Sequence, residues 1–206
     1  ISTDSVFDGM KINPYKETDQ VRPLNIYAVT KLLGEESVLL MENGLVLRTN
    51  IIGWNVFGKV SFAEWILKSL VESKPIALFE DVIFSPIHVS DLSLIISRII
   101  DYKLSGLYHC ASKDYLSKYD FGIEMAKIFD LPTTNINKIS IDNMNLDAKR
   151  PKNMAISSSK INSILELNPT NSYDAIKLMK SQYDNGWLSR IKGKEINSDY
   201  SFWRSK

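Results

Sequence analysis

One cysteine, two histidines and nine glycines in 206 residues are low counts, and each shortage removes a class of protein. A lone Cys110 excludes an internal disulfide framework and suits a reducing compartment, so the cytoplasm is the expected location. His88 and His109 lie in strand-like runs without metal-ligand spacing, which leaves them core or pocket-wall roles, and no metal is expected. The glycines nowhere fall into a G-x-x-G-x-x-G turn, so no stretch reads as a cradle for a dinucleotide pyrophosphate. No apolar run reaches the ~18 residues of a membrane span, and no signal-peptide pattern occurs. Net charge is only +1 with both signs interspersed, which argues against nucleic acid or a membrane surface as partner. Internal repeats and low-complexity tracts are also missing.

What is present is an ordinary soluble composition, 44% apolar and 24% charged, on a chain long enough for one ample core or two small ones. ISTDSVF reads as a strand end leading into a turn at Asp8-Gly9, and the polar stretch 9–24 with Pro14 and Pro23 reads as a loop. The apolar spacing of Tyr27, Leu32, Leu33, Val38, Leu39 and Leu40 predicts a helix from Asn25, its cap, to Asn43-Gly44. LVLRTNIIGW follows as a buried strand rich in branched residues. Further helices are expected over 61–73, 91–102, 117–129 and 172–189, with extended runs at PIALF, VIFSPIHV and GLYHCA. Alternation of this regularity predicts an α/β fold with a parallel sheet and crossover helices. After Pro132 the texture turns to Asn, Ser and Lys, with the short run INKISI and the stretch DAKRPKN, so a boundary is placed between Pro132 and Asn135. Residues 190–206 read as a polar tail carrying Trp203.

The chemistry concentrates near the amino end. Tyr27 and Lys31 are four apart on the first helix and therefore point the same way. A phenol titrates near ~10, and a neighbouring ammonium stabilises its phenolate, so such a pair is a usable general acid for a carbonyl oxygen receiving a hydride. A hydroxyl at the end of the adjacent strand, Thr3 or Ser2, can hold the same oxygen. Read alone, Y-x-x-x-K is common and most such tyrosines only pack.

It does not stand alone. ISTDSVFDG, the P-Y-x-E loop, PLNIYAVTK and the following Gly34-Glu35 resemble, in order and spacing, the active-site segment of extended short-chain dehydrogenases/reductases. Within that superfamily they are most similar to the dTDP-4-dehydrorhamnose reductase family. LVLRTNIIGW, FAEWIL, IFSPIHVSDL, GLYHCASKDYLSKYDFGIEMAKIF and AKRPKNMAISSSKI extend the resemblance from Ile1 to about Leu165.

The resemblance implies the carboxy-terminal part of a doubly wound Rossmann-type parallel sheet, with a smaller α/β substrate-binding region. Residues 1–132 would be the remainder of the NAD(P)-binding domain with interleaved substrate elements. Residues 133–206 would be mainly the sugar-nucleotide region and a last helix. It implies Tyr27 as proton donor and Lys31 as the residue that lowers its pKa and bonds the nicotinamide ribose. Thr3 would hold the reacting carbonyl, Asp4 would contact substrate, and Asn50 would line the nicotinamide and sugar pocket. Arg150 would pair with a diphosphate. Thr3 and Asp4 also suit a strand-end turn, Asn50 also suits bonding to nearby backbone, and Arg150 also suits a solvated loop.

The implied cofactor is NADP or NAD, with its binding half outside this sequence. By the family layout ISTDSVF is the fifth strand, so three to four units of ~30 residues each would precede it, and the chain reads as a piece of a longer enzyme whose first strand lies at a sheet edge. The implied function is reduction of the 4-keto group of a nucleotide-linked deoxysugar, with the nucleotide sugar and a second copy of the chain as partners. Two positions depart from the pattern: Ser5 where relatives carry Tyr, and Ile51 where the reductase carries Trp for the base. The resemblance therefore does not extend to a particular sugar nucleotide. A sister epimerase or dehydratase, and a non-catalytic subunit like the regulatory β subunit of methionine adenosyltransferase, are the alternatives.

Overall fold

A computed structural model describes residues 1–55 and 59–193; Trp203 and the tail from 194 lie outside the described residues. The chain opens with β1 (Ser2–Thr3), which stops after two residues because Thr3 caps a 3-10 turn over Asp4–Val6, its Oγ1 accepting from the Ser5 N–H at 3.2 Å. Helix α1 (Ile26–Leu39) begins where the Asn25 side chain accepts from the Ala28 N–H at 2.9 Å, the cap expected from sequence. Then come β2 (Leu45–Thr49), β3 (Ile51–Ile52), α2 (Phe62–Val71), β4 (Ile76–Phe79), β5 (Ile83–Phe84) and β6 (Ile87–His88). The order continues with α3 (Val89–Asp101), β7 (Gly106–Cys110), β8 (Leu116–Ser117), α4 (Lys118–Ile128), β9 (Ile136–Ile139), α5 (Ser159–Leu165), α6 (Ser172–Asp184) and α7 (Trp187–Lys192).

Strands β1, β2 and β7 form a parallel sheet in that order, with Thr3 opposite Thr49 and Thr49 opposite Cys110. Because alternate side chains of a strand point to opposite faces, this sheet is buried from both sides. Helix α1 covers one face, reaching Ser2 and Arg48 through Glu35. On the other, Leu92, Ile95 and Ile99 of α3 and Ile161 and Leu165 of α5 pack on Leu47, Tyr108 and Cys110. The expected doubly wound α/β arrangement is therefore present, with β1 as an outer strand. A second and larger core joins α2, α4 and α6 to the parallel pair β4–β9 through Ile66, Leu70, Leu78, Phe121, Met125 and Met179.

Two departures from the sequence reading have local causes, and the loop read over residues 9–24 is present. LVLRTNIIGW is two strands rather than one: it breaks at Asn50, whose carbonyl accepts the Ile87 N–H at 2.9 Å, and β3 leaves the sheet to pair with β6. The final helix breaks at Gly186, which takes a left-handed φ of 72° and divides α6 from α7. Residues 9–24 form no regular element, yet they are fixed in place. Gly9, at φ 77°, lies so close to Pro151–Asn153 that a Cβ there would fall 2.6 Å from the Lys152 nitrogen. Tyr15 exchanges backbone bonds with Ala155 and Ser157 at 2.8 Å and stacks on Phe7, ring centroids 4.1 Å apart. Among the described residues no helix is long and apolar enough to cross a membrane.

Candidate active site

The carboxyl ends of β1 and β2 bring Thr3, Asp4 and Asn50 into direct contact. Asp4 is buried, and its carboxylate is nearly saturated. Oδ1 accepts from Thr3 Oγ1 at 3.1 Å and Ser5 Oγ at 3.2 Å, and Oδ2 accepts from Asn50 Nδ2 at 2.6 Å. Burial raises the Asp4 carboxyl above its ordinary range, while the bond from Asn50, the charge of Lys118 and the Thr3 and Ser5 hydroxyls pull the other way. The break at Asn50 that ends β2 is what turns this amide toward Asp4.

Helix α1, which carries Tyr27 and Lys31, packs on β1 and its 3-10 turn. Tyr27 is 57% exposed, and its hydroxyl has no hydrogen-bond partner among the described residues. One turn on, half-buried Lys31 donates from Nζ to the Ile1 carbonyl at 2.7 Å, just ahead of Thr3. The helix is held in this pose from beneath. Buried Glu35 accepts from Ser2 Oγ and takes Arg48 bidentately, Nη2 to Oε2 at 2.6 Å and Nε to Oε1 at 3.0 Å. Arg48 lies over the Phe7 ring at 5.2 Å and meets His109 Nε2 at 3.5 Å. Burial, aided by the Arg48 charge, lowers the His109 imidazole to about 3, so the ring is neutral, with its Nδ1 3.2 Å from the Tyr15 carbonyl. The two histidines thus serve the interior: His88, wholly buried, accepts from the Ser90 N–H at 3.1 Å as the cap of α3.

Arg150 is exposed, but its loop is tied to the start of α1 because Asn25 Nδ2 donates to the Lys149 carbonyl at 2.9 Å. The structure also adds a residue that the sequence reading passed over. Lys118, first residue of α4, holds Nζ 3.3 Å from the centroid of the Phe84 ring and 4.4 Å from that of Phe62. Burial lowers its ammonium to about 7, against the favourable charge of Asp4, and the Arg150 guanidinium adds to the lowering. A signal for it was present: the dipole at a helix amino terminus disfavours a cation, so Lys directly after the capping Ser117 is out of place on local grounds. Glu35 carried no such signal, since a glutamate on a helix ordinarily faces water.

Residues 1–185 match the family model described as the RmlD substrate binding domain. Among curated proteins, the chain is 33% identical over 185 residues to methionine adenosyltransferase 2 subunit beta of Pongo abelii, covering 80% of this chain and 51% of that protein. It is 26% identical to the probable low-salt glycan biosynthesis reductase Agl14 of Haloferax volcanii, covering 78% of this chain and 55% of the relative. Among solved structures, dTDP-4-dehydrorhamnose reductase from Bacillus anthracis in complex with NADP superposes with a TM-score of 0.81 at 25% identity, over 88% of this chain and 64% of that one. The chain thus spans about half the length of the curated relatives it matches.

Proposed function

Because the chain belongs to the RmlD substrate binding domain family, we propose that it is the substrate-side portion of a nicotinamide-dependent oxidoreductase that reduces the 4-keto group of a nucleotide-linked deoxysugar. What supports this reading is the Thr3–Asp4–Asn50 cluster at the strand ends together with the packing of α1, the helix that carries Tyr27 and Lys31, on β1 and the turn after it. Its donors fit the nicotinamide end of NADP or NAD. Lys31 rests on one backbone carbonyl and keeps donors to spare for ribose hydroxyls. Thr49, opposite Thr3 in the register, keeps a buried hydroxyl without a partner among the described residues.

Bound there, the reduced nicotinamide supplies hydride to the carbonyl carbon. The chain's own residues manage the oxygen. Thr3 Oγ1 turns from Asp4 to donate to it, and Tyr27 delivers the proton that makes it a hydroxyl. Lys31 stabilises the phenolate left on Tyr27. Asp4, held by Asn50, accepts from sugar hydroxyls, and Arg150 faces the diphosphate.

Turnover of a 4-keto sugar nucleotide by the full-length protein, followed through loss of NADPH or NADH absorbance, tests the assignment. Tyr27→Phe is expected to lower kcat by about 10²–10⁴-fold while cofactor affinity stays nearly unchanged. Wild-type turnover in that variant removes Tyr27 from the reaction. A second reading, a non-catalytic subunit, is favoured by the 33% identity to a protein named as a subunit. It predicts no turnover in wild type and variant alike, together with a stable complex with a catalytic partner.

A further inference from the structure

We propose that the cleft between the turn after β7 and the approach to α5 is a binding site for a free, uncharged sugar ring. This stands apart from the nucleotide-sugar reading above, since the cleft shares no lining residue with the Thr3–Asp4–Asn50 cluster or with Tyr27 and Lys31.

The cleft has a volume of about 220 Å³, with walls from the turn after β7 (112–115), the segments 156–159 and 167–169, and Ser85 between β5 and β6. At ~30 Å³ for each water it holds about seven waters, and it falls short of the ~300–1,000 Å³ of drug-sized ligand sites. That size excludes a dinucleotide or a whole nucleotide sugar and suits a single six-membered ring.

The shape is set without a ligand. Ser158 Oγ donates to the Ala111 carbonyl at 3.2 Å and accepts from Asn162 Nδ2 at 3.0 Å, which ties α5 to the end of β7. The Lys113 N–H donates to the Thr170 carbonyl at 3.1 Å, and Asp114 Oδ1 accepts from the N–H and the hydroxyl of Ser172, both at 2.8 Å. Ser112 Oγ closes the turn on the Asp114 carbonyl at 2.8 Å.

These bonds leave a second set of polar groups open. Ser85 is only 1% exposed, and its hydroxyl has no partner among the described residues. Asp114 Oδ2, the Tyr115 hydroxyl and the Asn168 amide also lack partners there. A buried hydroxyl left unbonded is unfavourable until something enters to bond it. Donors and acceptors stand together on this wall, so the matching ligand groups are ones that do both, and a hydroxyl is such a group. The two ionic residues of the wall, Lys113 and Asp114, have opposite signs, so no net charge selects an anion. Pro14, Ile156, Leu167 and Pro169 supply apolar surface for the C–H face of a ring. Water meets the polar groups and leaves that apolar surface wet, whereas a sugar ring meets both.

NMR titration of the isotope-labelled full-length protein with glucose, galactose, mannose and xylose tests the site. At least one of them is expected to bind at millimolar concentration and to shift the amides of 112–115 and 157–159. Ser85→Ala strands no partner, so it should leave the urea midpoint unchanged while weakening the sugar about twofold to tenfold. Asp114→Asn keeps the acceptor for Ser172 and turns the open oxygen into a donor, and a loss of similar size is expected. Should that variant fail to fold, Ser85→Ala decides alone. No binding by any of these sugars overturns the proposal, as does binding that Ser85→Ala leaves unchanged. Inorganic phosphate that displaces the sugar overturns the uncharged class, and displacement by dTDP-glucose makes the cleft part of the substrate site and overturns a separate one. A protein without turnover of 4-keto sugar nucleotides leaves every one of these readouts intact, so the two readings fail independently.

Discussion

Beneath β1 and β2, the cluster of Ser2, Glu35, Arg48 and His109 spends its polar atoms on one another; at the ends of the same strands Asp4 and Asn50 bond each other, but the side chains of Lys118 and Arg150 meet no acceptor among the described residues. The first cluster leaves no buried side-chain nitrogen or oxygen without a partner. In the second the Asp4 carboxylate is already engaged by Thr3, Ser5 and Asn50, while neither the Lys118 nor the Arg150 side chain meets an acceptor among the described residues. The first is buried, the second runs from buried Asp4 to exposed Arg150, and both join the first residues of the chain to distant parts of it. A polar group that completes its bonds inside the protein fastens the fold, whereas one held in place with its bonds open is arranged for something that arrives.

Breaking the closed cluster gives the largest expected loss of stability. Glu35→Ala leaves the Arg48 guanidinium buried and unpaired, which costs about 3–5 kcal/mol. Urea denaturation measures it, and the double variant Glu35→Ala with Arg48→Met recovers most of the loss because no charge is then stranded. A single-variant loss near zero would remove the distinction between the clusters.

Acidification is expected to separate them next, with opposite signs. His109 stays neutral in the folded state down to about 3, whereas unfolded histidine takes its proton near ~6.5. Between those values the unfolded chain binds the extra proton, so stability falls with falling pH by up to about 1.4 kcal/mol per unit from this group alone. Asp4, its carboxyl raised by burial, contributes the other way, since the folded state takes that proton first. Urea midpoints between pH 6.5 and 4.5 should decline less steeply in His109→Gln than in wild type. Equal slopes would mean that His109 is not the group responsible.

The smallest effect on stability belongs to the open cluster. Asp4→Asn exchanges a desolvated carboxylate for a neutral amide, and the change in unfolding free energy should stay under about 1 kcal/mol. Affinity for a sugar nucleotide should nevertheless fall, because the negative charge is lost and one of the two acceptor oxygens becomes a donor. A variant that loses stability and keeps affinity would move Asp4 into the fastening class.

Much of this layout is legible in the chain, and the illegible parts share a cause. The Asn25 cap and the helical spacing of α1 place Tyr27 and Lys31 one turn apart before any coordinates are seen. The branched run LVLRT marks a buried strand, but Ile51 and Ile52 continue the same texture, so nothing local shows that the chain leaves the sheet at Asn50. Asn185-Gly186 is a stop signal, and it is masked because Trp187 and Leu188 keep the apolar rhythm of α6 going. A glutamate or a lysine on a helix ordinarily faces water, so nothing local declares the surroundings of Glu35 and Lys118, which are set by other elements.

Local chemistry, by itself, determined the α/β class, the capped helix and the Tyr27–Lys31 pair, because capping bonds and side-chain periodicity act within a few residues and are written in their order. Only the tertiary structure decided which polar residues became fasteners and which were left open. Glu35 meets Arg48 across the face of a sheet, and Lys118 lies over the rings of Phe84 and Phe62, within the field of Asp4 and Arg150. Charge and hydrogen-bond energies depend on distance in space and on the water excluded there, and neither quantity exists for a residue until the chain has folded around it.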